Sequence, residues 1–216
     1  ADAAERSHWR GVAERVAAEL ATDALQRDRA NDDPTVELDL LRDAGLVTLL
    51  QPAEFGGGGA HWETAFLVIR ILSRADASVA QVLAYHYINS GNIGFAADPS
   101  VQEAWHRRTT EGRWVWGDSV NPTDPDLELT SDGDGYRLNG LKRFSTGASA
   151  GDVVLAAALV RGGDAACLGA ASGAVVHVSE GTPAGVFPRG GVAVARSASP
   201  ALAPIVRRAA AVVTEV

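Results

Sequence analysis

The sequence predicts an α+β chain, helical in its first half and β-rich after residue 112. Along the first part apolar side chains recur every three or four positions, the period of an amphipathic helix. From Trp114 the period shortens to two. Trp114 and Trp116 fall on one face of an extended segment, and Val153, Leu155 and Ala157 continue the pattern. Between these runs stands Asn139-Gly140, flanked by short alternating stretches. The expectation there is a type I′ hairpin turn, whose central residues need positive φ. The expected divisions are 1–112 helical, 113–160 the start of a β-domain and 161–216 a divergent tail.

The helices follow in order. Trp9, Val12, Val16, Leu20 and Ala24 make one stripe of the first. Asp33-Pro34 offers an N-cap followed by proline at the first helical position, and Gly45 closes that helix. The run from Trp62 to Ser73 holds Phe66, Leu67, Val68, Ile69, Ile71 and Leu72. It is too apolar all round for a surface helix, which predicts burial. Ala77 to Asn89 continues in the same style. Asp98-Pro99 opens one more helix, which stops near Gly112. Five or so helices with short connections make a bundle-like domain.

Composition bounds the function. A chain of 216 residues with 46% apolar content can fill one large domain or two modest ones. A net charge of −8 argues against nucleic acid or an anionic membrane as the main partner. No 18-residue apolar run and no opening signal peptide occur, so neither a membrane span nor secretion is expected. The lone Cys167 cannot form an internal disulfide, which fits a reducing cytoplasm. Gly56-Gly57-Gly58-Gly59 lacks both the Lys-Ser/Thr of a P-loop and the strand-glycine-helix context of a dinucleotide fingerprint, so it reads as a turn. No paired Cys/His spacing suggests zinc, and no nucleophile elbow occurs.

Three stretches carry a resemblance. Leu40-Leu41-Arg42-Asp43-Ala44-Gly45-Leu46 is followed by Gln51-Pro52-Ala53-Glu54-Phe55-Gly56-Gly57. Next comes Trp116-Gly117-Asp118-Ser119-Val120-Asn121-Pro122. Last is Tyr136-Arg137-Leu138-Asn139-Gly140-Leu141-Lys142-Arg143-Phe144-Ser145-Thr146. In this order, over roughly Trp9 to Leu159, they resemble the acyl-CoA dehydrogenase superfamily. The resemblance implies an N-terminal helical domain followed by a β-barrel-like domain that holds a flavin, FMN or FAD. It implies that Ser119, Val120 and Asn121 stand where the family's flavin-contacting turn lies. By the same resemblance Ser145 and Thr146 hydrogen-bond the ring, while Phe144 and Trp116 pack beside it. A flavin's reactivity is its own, and the protein supplies orientation, donors and exclusion of water. Without the resemblance, Ser and Thr simply suit a strand end and aromatics suit any sheet core. Lys142, the only lysine in the chain, reads as a solvated strand residue.

His86 lies in the apolar stretch Leu83-Ala84-Tyr85-His86-Tyr87-Ile88-Asn89, and two readings stand open. Given the family, its imidazole would serve catalysis beside the flavin. Otherwise it is a core histidine satisfied by a backbone carbonyl. His8, His61, His106 and His177 take the second reading.

Departures from the dehydrogenase pattern direct the chemistry. Pro122-Thr123-Asp124-Pro125-Asp126-Leu127 lacks the family's Gly-Ser-Asp segment, and its carboxylates would repel CoA phosphates. The pattern is more similar to the superfamily's flavin-dependent monooxygenases of the dibenzothiophene type. That resemblance implies reduced flavin from a partner reductase and oxygen transfer to a small aromatic or heteroatom substrate. By that resemblance His86 and Ser145 are the catalytic residues, which would stabilise the flavin peroxide. The alternatives are an FAD-dependent acyl-CoA dehydrogenase and an inactive remnant or assembly subunit.

After Val160 the resemblance stops. Residues 161–216 lack Lys, Asn, Gln, Tyr and Trp, and their charge balance is positive where the rest of the chain is acidic. The family's C-terminal helical bundle, which makes the homo-oligomer, is not among them. Val175-Val176-His177-Val178 and Gly191-Val192-Ala193-Val194 read as strands and Ala201 to Val213 as a helix. A divergent completion of the β-domain and a frame-shifted tail stand as equal readings.

Overall fold

Asp2 accepts the Glu5 amide at 2.7 Å as the N-cap of helix α1, Ala3–Leu20. The computed structural model describes residues 1–95, 98–121, 126–132, 135–160, 167–169, 175–177, 192–195 and 211–214. They form two compact units, Ala1–Trp116 and Gly117–Val216.

In the first unit α1 buries Val12, Ala13, Val16 and Leu20, the predicted stripe. It ends earlier than that stripe suggested, because the Thr22 hydroxyl donates to the Glu19 carbonyl and competes with the helix ladder. Ala24 therefore starts a separate short helix, α2, Ala24–Ala30. Helix α3, Thr35–Asp43, has Pro34 itself at the cap, one residue later than expected, and Gly45 at φ +74° closes it. Helix α4 is Trp62–Leu72, α5 is Ala77–Gly91 with Asp76 accepting from the Val79 amide, and α6 is Pro99–Glu111 capped by Asp98. α1 and α5 both pack on α4. Among the described residues no helix is long and apolar enough to cross a membrane.

Burial of α4 on all sides is not what forms. Thr64, Ala65, Leu67, Val68 and Leu72 face inward, while Trp62 and Phe66 are 44% and 68% exposed. An eleven-residue helix packed on one side presents its other side outward, whatever its composition.

The glycine run is a turn, as expected. The Gly57, Gly58 and Gly59 amides donate to the carbonyls of Pro52, Thr48 and Gln51 at 3.1, 2.9 and 2.9 Å. A Cβ on Gly57 would collide with the Gln51 carbonyl oxygen, so the tight winding requires glycine.

The second unit holds a sheet in the order β1-β4-β2-β3 with β5 beside β4. Its strands are β1, Trp116–Ser119; β2, Leu127–Asp132; β3, Gly135–Gly140; β4, Val153–Val160; and β5, Cys167–Gly169. β2 pairs antiparallel with β3 and parallel with β4. Strands β6, Val175–His177, β7, Val192–Ala195, and β8, Ala211–Thr214, form a parallel sheet. Among the described residues these sheets do not close into a barrel.

The hairpin is real but its turn is misplaced in the sequence reading. Asp132 pairs with Gly135, and Asn139 pairs with Glu128 inside the ladder rather than at a turn. Gly140, at φ +135°, sits so close to Asp126 that a Cβ would collide with its carbonyl. The Asn-Gly signal therefore marks a close backbone approach at a strand end. Residues 211–213, expected as the end of a helix, belong to β8; residues 201–210 lie outside the described residues, as do Pro122 to Pro125.

Candidate functional site

In the second unit two segments converge on the residues singled out above. The Asp118 amide donates to the Thr146 carbonyl at 2.8 Å, tying β1 to the turn after Phe144. Gly117 permits this approach, since a Cβ there would lie 2.9 Å from the Gly147 oxygen. The result brings the hydroxyls of Ser119 and Ser145 to 2.9 Å, both buried. Val120 and Asn121 follow at the half-buried end of the strand, and Thr146 is half-buried beside Ser145.

Phe144 explains how Ser145 comes to face inward. Side chains along an extended segment alternate, so an inward Lys142 predicts an inward Phe144 and an outward Ser145. Phe144 instead has φ +60°, a left-handed conformation costly for a bulky residue. This resets the phase: Arg143 and Phe144 both face out, the phenyl ring 74% exposed, and Ser145 turns in to 4%.

Lys142 is not solvated. It is 2% exposed, and its Nζ donates to the Asn121 carbonyl. The neighbouring Arg143 pairs with Asp126 at 2.8 Å on the outside.

In the first unit His86 is fully buried, with both ring nitrogens engaged by backbone. Nε2 lies 2.7 Å from the Val47 carbonyl and Nδ1 accepts the Trp116 amide at 3.0 Å. An accepting Nδ1 fixes the neutral tautomer with its proton on Nε2. Tyr87 does the same job one residue along, donating to the Leu46 carbonyl at 2.7 Å, and burial pushes its phenol well above the ordinary range. Leu46 and Val47 belong to a buried stretch outside any helix, so their carbonyls need such partners. Trp116 is held further by its indole, which donates to Thr109 at 3.1 Å, and by Trp105, packed edge-on at 5.5 Å.

Of the other histidines, His61 pairs with Glu5 at 2.8 Å. His106 stacks on Phe55 and lies 2.9 Å from the Gln51 side-chain oxygen. Partial burial holds the His106 imidazole below its ordinary value.

Residues 3–113 match the family described as acyl-CoA dehydrogenase, N-terminal domain. The chain belongs to the acyl-CoA dehydrogenase family. Among its relatives, a probable FMNH2-dependent monooxygenase, SfnC, of Pseudomonas putida is 34% identical over 149 residues, covering 68% of this chain and 38% of that protein. The structure of methanesulfinate monooxygenase MsuC from Pseudomonas fluorescens superimposes with a TM-score of 0.70 at 31% identity, over 75% of this chain and 42% of that one. Dibenzothiophene monooxygenase (TdsC) of Paenibacillus sp. A11-2, also solved with FMN and indole, gives 0.68 at 30% identity, over 73% and 40%. The chain thus spans about two fifths of the length of these relatives.

For this acyl-CoA dehydrogenase-family chain, sequence reasoning named the serines and Phe144 but missed what assembles them. Gly117 and Gly147 set the backbone approach, and Lys142 is drawn inside. No residue pattern announces the last, because a lone lysine in a strand usually faces water.

Proposed function

We propose that this chain presents a flavin-ring shelf and that it serves a reduced-flavin-dependent monooxygenase acting on a small aromatic or sulfur-containing substrate. One observation carries the reading: the buried hydroxyl pair of Ser119 and Ser145 at 2.9 Å. Whichever serine donates to the other, the second O–H remains as a donor in a site sheltered from water. That donor set, with Thr146 beside it and an outward aromatic ring at Phe144, fits a planar heterocycle with polar edges. The names of the relatives point to FMN and to oxygen transfer. Bound there, the flavin would supply the redox chemistry, and the chain would orient the ring and exclude water. A flavin reductase is the partner this implies.

His86 enters as a strut. Both its nitrogens serve backbone groups, which supports a role in holding Trp116 and the Val47 stretch rather than in carrying protons.

The test is titration of the purified chain with FMN, FAD and an acyl-CoA, followed by flavin fluorescence and melting. Saturable FMN binding, weakened about tenfold or more in Thr146→Val and Phe144→Ala, is expected from loss of one hydrogen bond or one stacked ring. Binding of acyl-CoA without FMN, or no ligand binding to the folded chain, would sink the proposal.

A further inference from the structure

Lys142 is the chain's single lysine, against a background in which every other basic side chain is arginine. It is also among the largest fully buried side chains. Sinking an ammonium into a sheet is unfavourable unless hydrogen bonds compensate it. The compensation here includes the carbonyl of Asn121, two residues beyond Ser119. A compact ammonium on a flexible stem can reach a single carbonyl in a narrow space, which a planar guanidinium does less well.

The structure assigns Lys142 as the positioning residue of the shelf: its buried ammonium holds the Asn121 carbonyl and so keeps Ser119 opposite Ser145. Two backbone ties set that register from one side, the Asp118 amide on the Thr146 carbonyl and the Gly117–Gly147 approach. Lys142 sets it from the other. It stands three residues before Ser145 on one segment and grips the residue two after Ser119 on the other. It acts through the backbone of the turn, and the same charge favours an anionic ring over a neutral one at the shelf. The inference rests on the flavin reading above.

A single lysine makes the test direct. Wild-type chain carrying isotope-labelled lysine gives one side-chain ammonium signal, and FMN is the probe. The expected result is a shift of that signal that saturates with the FMN binding curve read by fluorescence. Lys142→Met should bind FMN about tenfold or more weakly, the scale of one charge-assisted hydrogen bond. Lys142→Arg should recover only part of that loss, because the planar guanidinium fits the narrow space less well. A lysine signal indifferent to saturating FMN, or equal FMN affinity in Lys142→Met, overturns the assignment and leaves the flavin reading standing. Absence of FMN binding to the wild type removes both. Should Lys142→Met fail to fold, the wild-type signal alone decides.

Discussion

Phe144 combines a strained backbone with an exposed ring, so stability and binding should part company there. Left-handed φ at a bulky residue costs on the order of 1–2 kcal/mol, and a ring that is 74% exposed returns little packing. Phe144→Gly should therefore raise stability by about 1 kcal/mol, after the extra chain entropy of glycine is subtracted. FMN affinity should fall at the same time. Urea unfolding with parallel flavin titration checks both, and a variant that loses stability would show the strain argument to be wrong. His86 gives the opposite case. His86→Leu strips a donor from the Val47 carbonyl and an acceptor from the Trp116 amide, both buried. Each loss is of order 1–3 kcal/mol, so the variant should lose about 2–6 kcal/mol, read from its urea midpoint. A strut predicts this loss; a free acid-base group would leave stability unchanged.

At the scale of elements, the chain declares its helices through their ends. Asp98 accepts an amide of the first turn of α6 and Pro99 follows it, so that start was legible; Asp2 and Asp76 cap α1 and α5 in the same way. The hairpin was legible in kind and misplaced in position. Asp132-Gly133, Asp134-Gly135 and Asn139-Gly140 all carry turn chemistry, and only strand pairing chooses among them. The inward lysine and the outward face of α4 escaped for one reason: both depend on which neighbours pack where, which local pattern does not encode. Glu5 shows an element-scale consequence. It leaves α1 to accept from Thr64 and from the His61 amide and ring, which hold its carboxyl well below the ordinary 4.5, at about 2. A depressed folded value means the contribution is whole above the unfolded value and is lost as pH falls from about 4.5 toward 2. The stability gap between wild type and Glu5→Gln should therefore narrow across that range. Solvent exposure of the carboxylate keeps the gap modest. Urea midpoints at a series of pH values would show it, and a gap that widens on acidification would contradict the sign.

For the molecule as a whole, the proposed ligand and the fold are linked by mass action. A ligand that binds only the folded chain stabilises it by about 2.7 kcal/mol at a hundred times its dissociation constant. In a chain of 216 residues each kcal/mol moves the melting temperature by roughly 2–4 °C, so saturating FMN should raise it by about 5–10 °C. The shift should shrink to near zero in a Ser145→Ala, Thr146→Val double variant, which removes both hydroxyls on the hairpin side of the shelf. FAD carries the FMN moiety extended by AMP, so an equal shift with FAD would place recognition at the part the two flavins share, and a smaller one would mean that the chain discriminates against the AMP extension. Net charge bears on that comparison. At −8 the chain has no general attraction for phosphate, so any affinity for the flavin must come from local contacts and should change little with salt. A melting shift that collapses between 50 and 300 mM salt would argue for phosphate-led binding elsewhere on the chain and against the hydroxyl shelf.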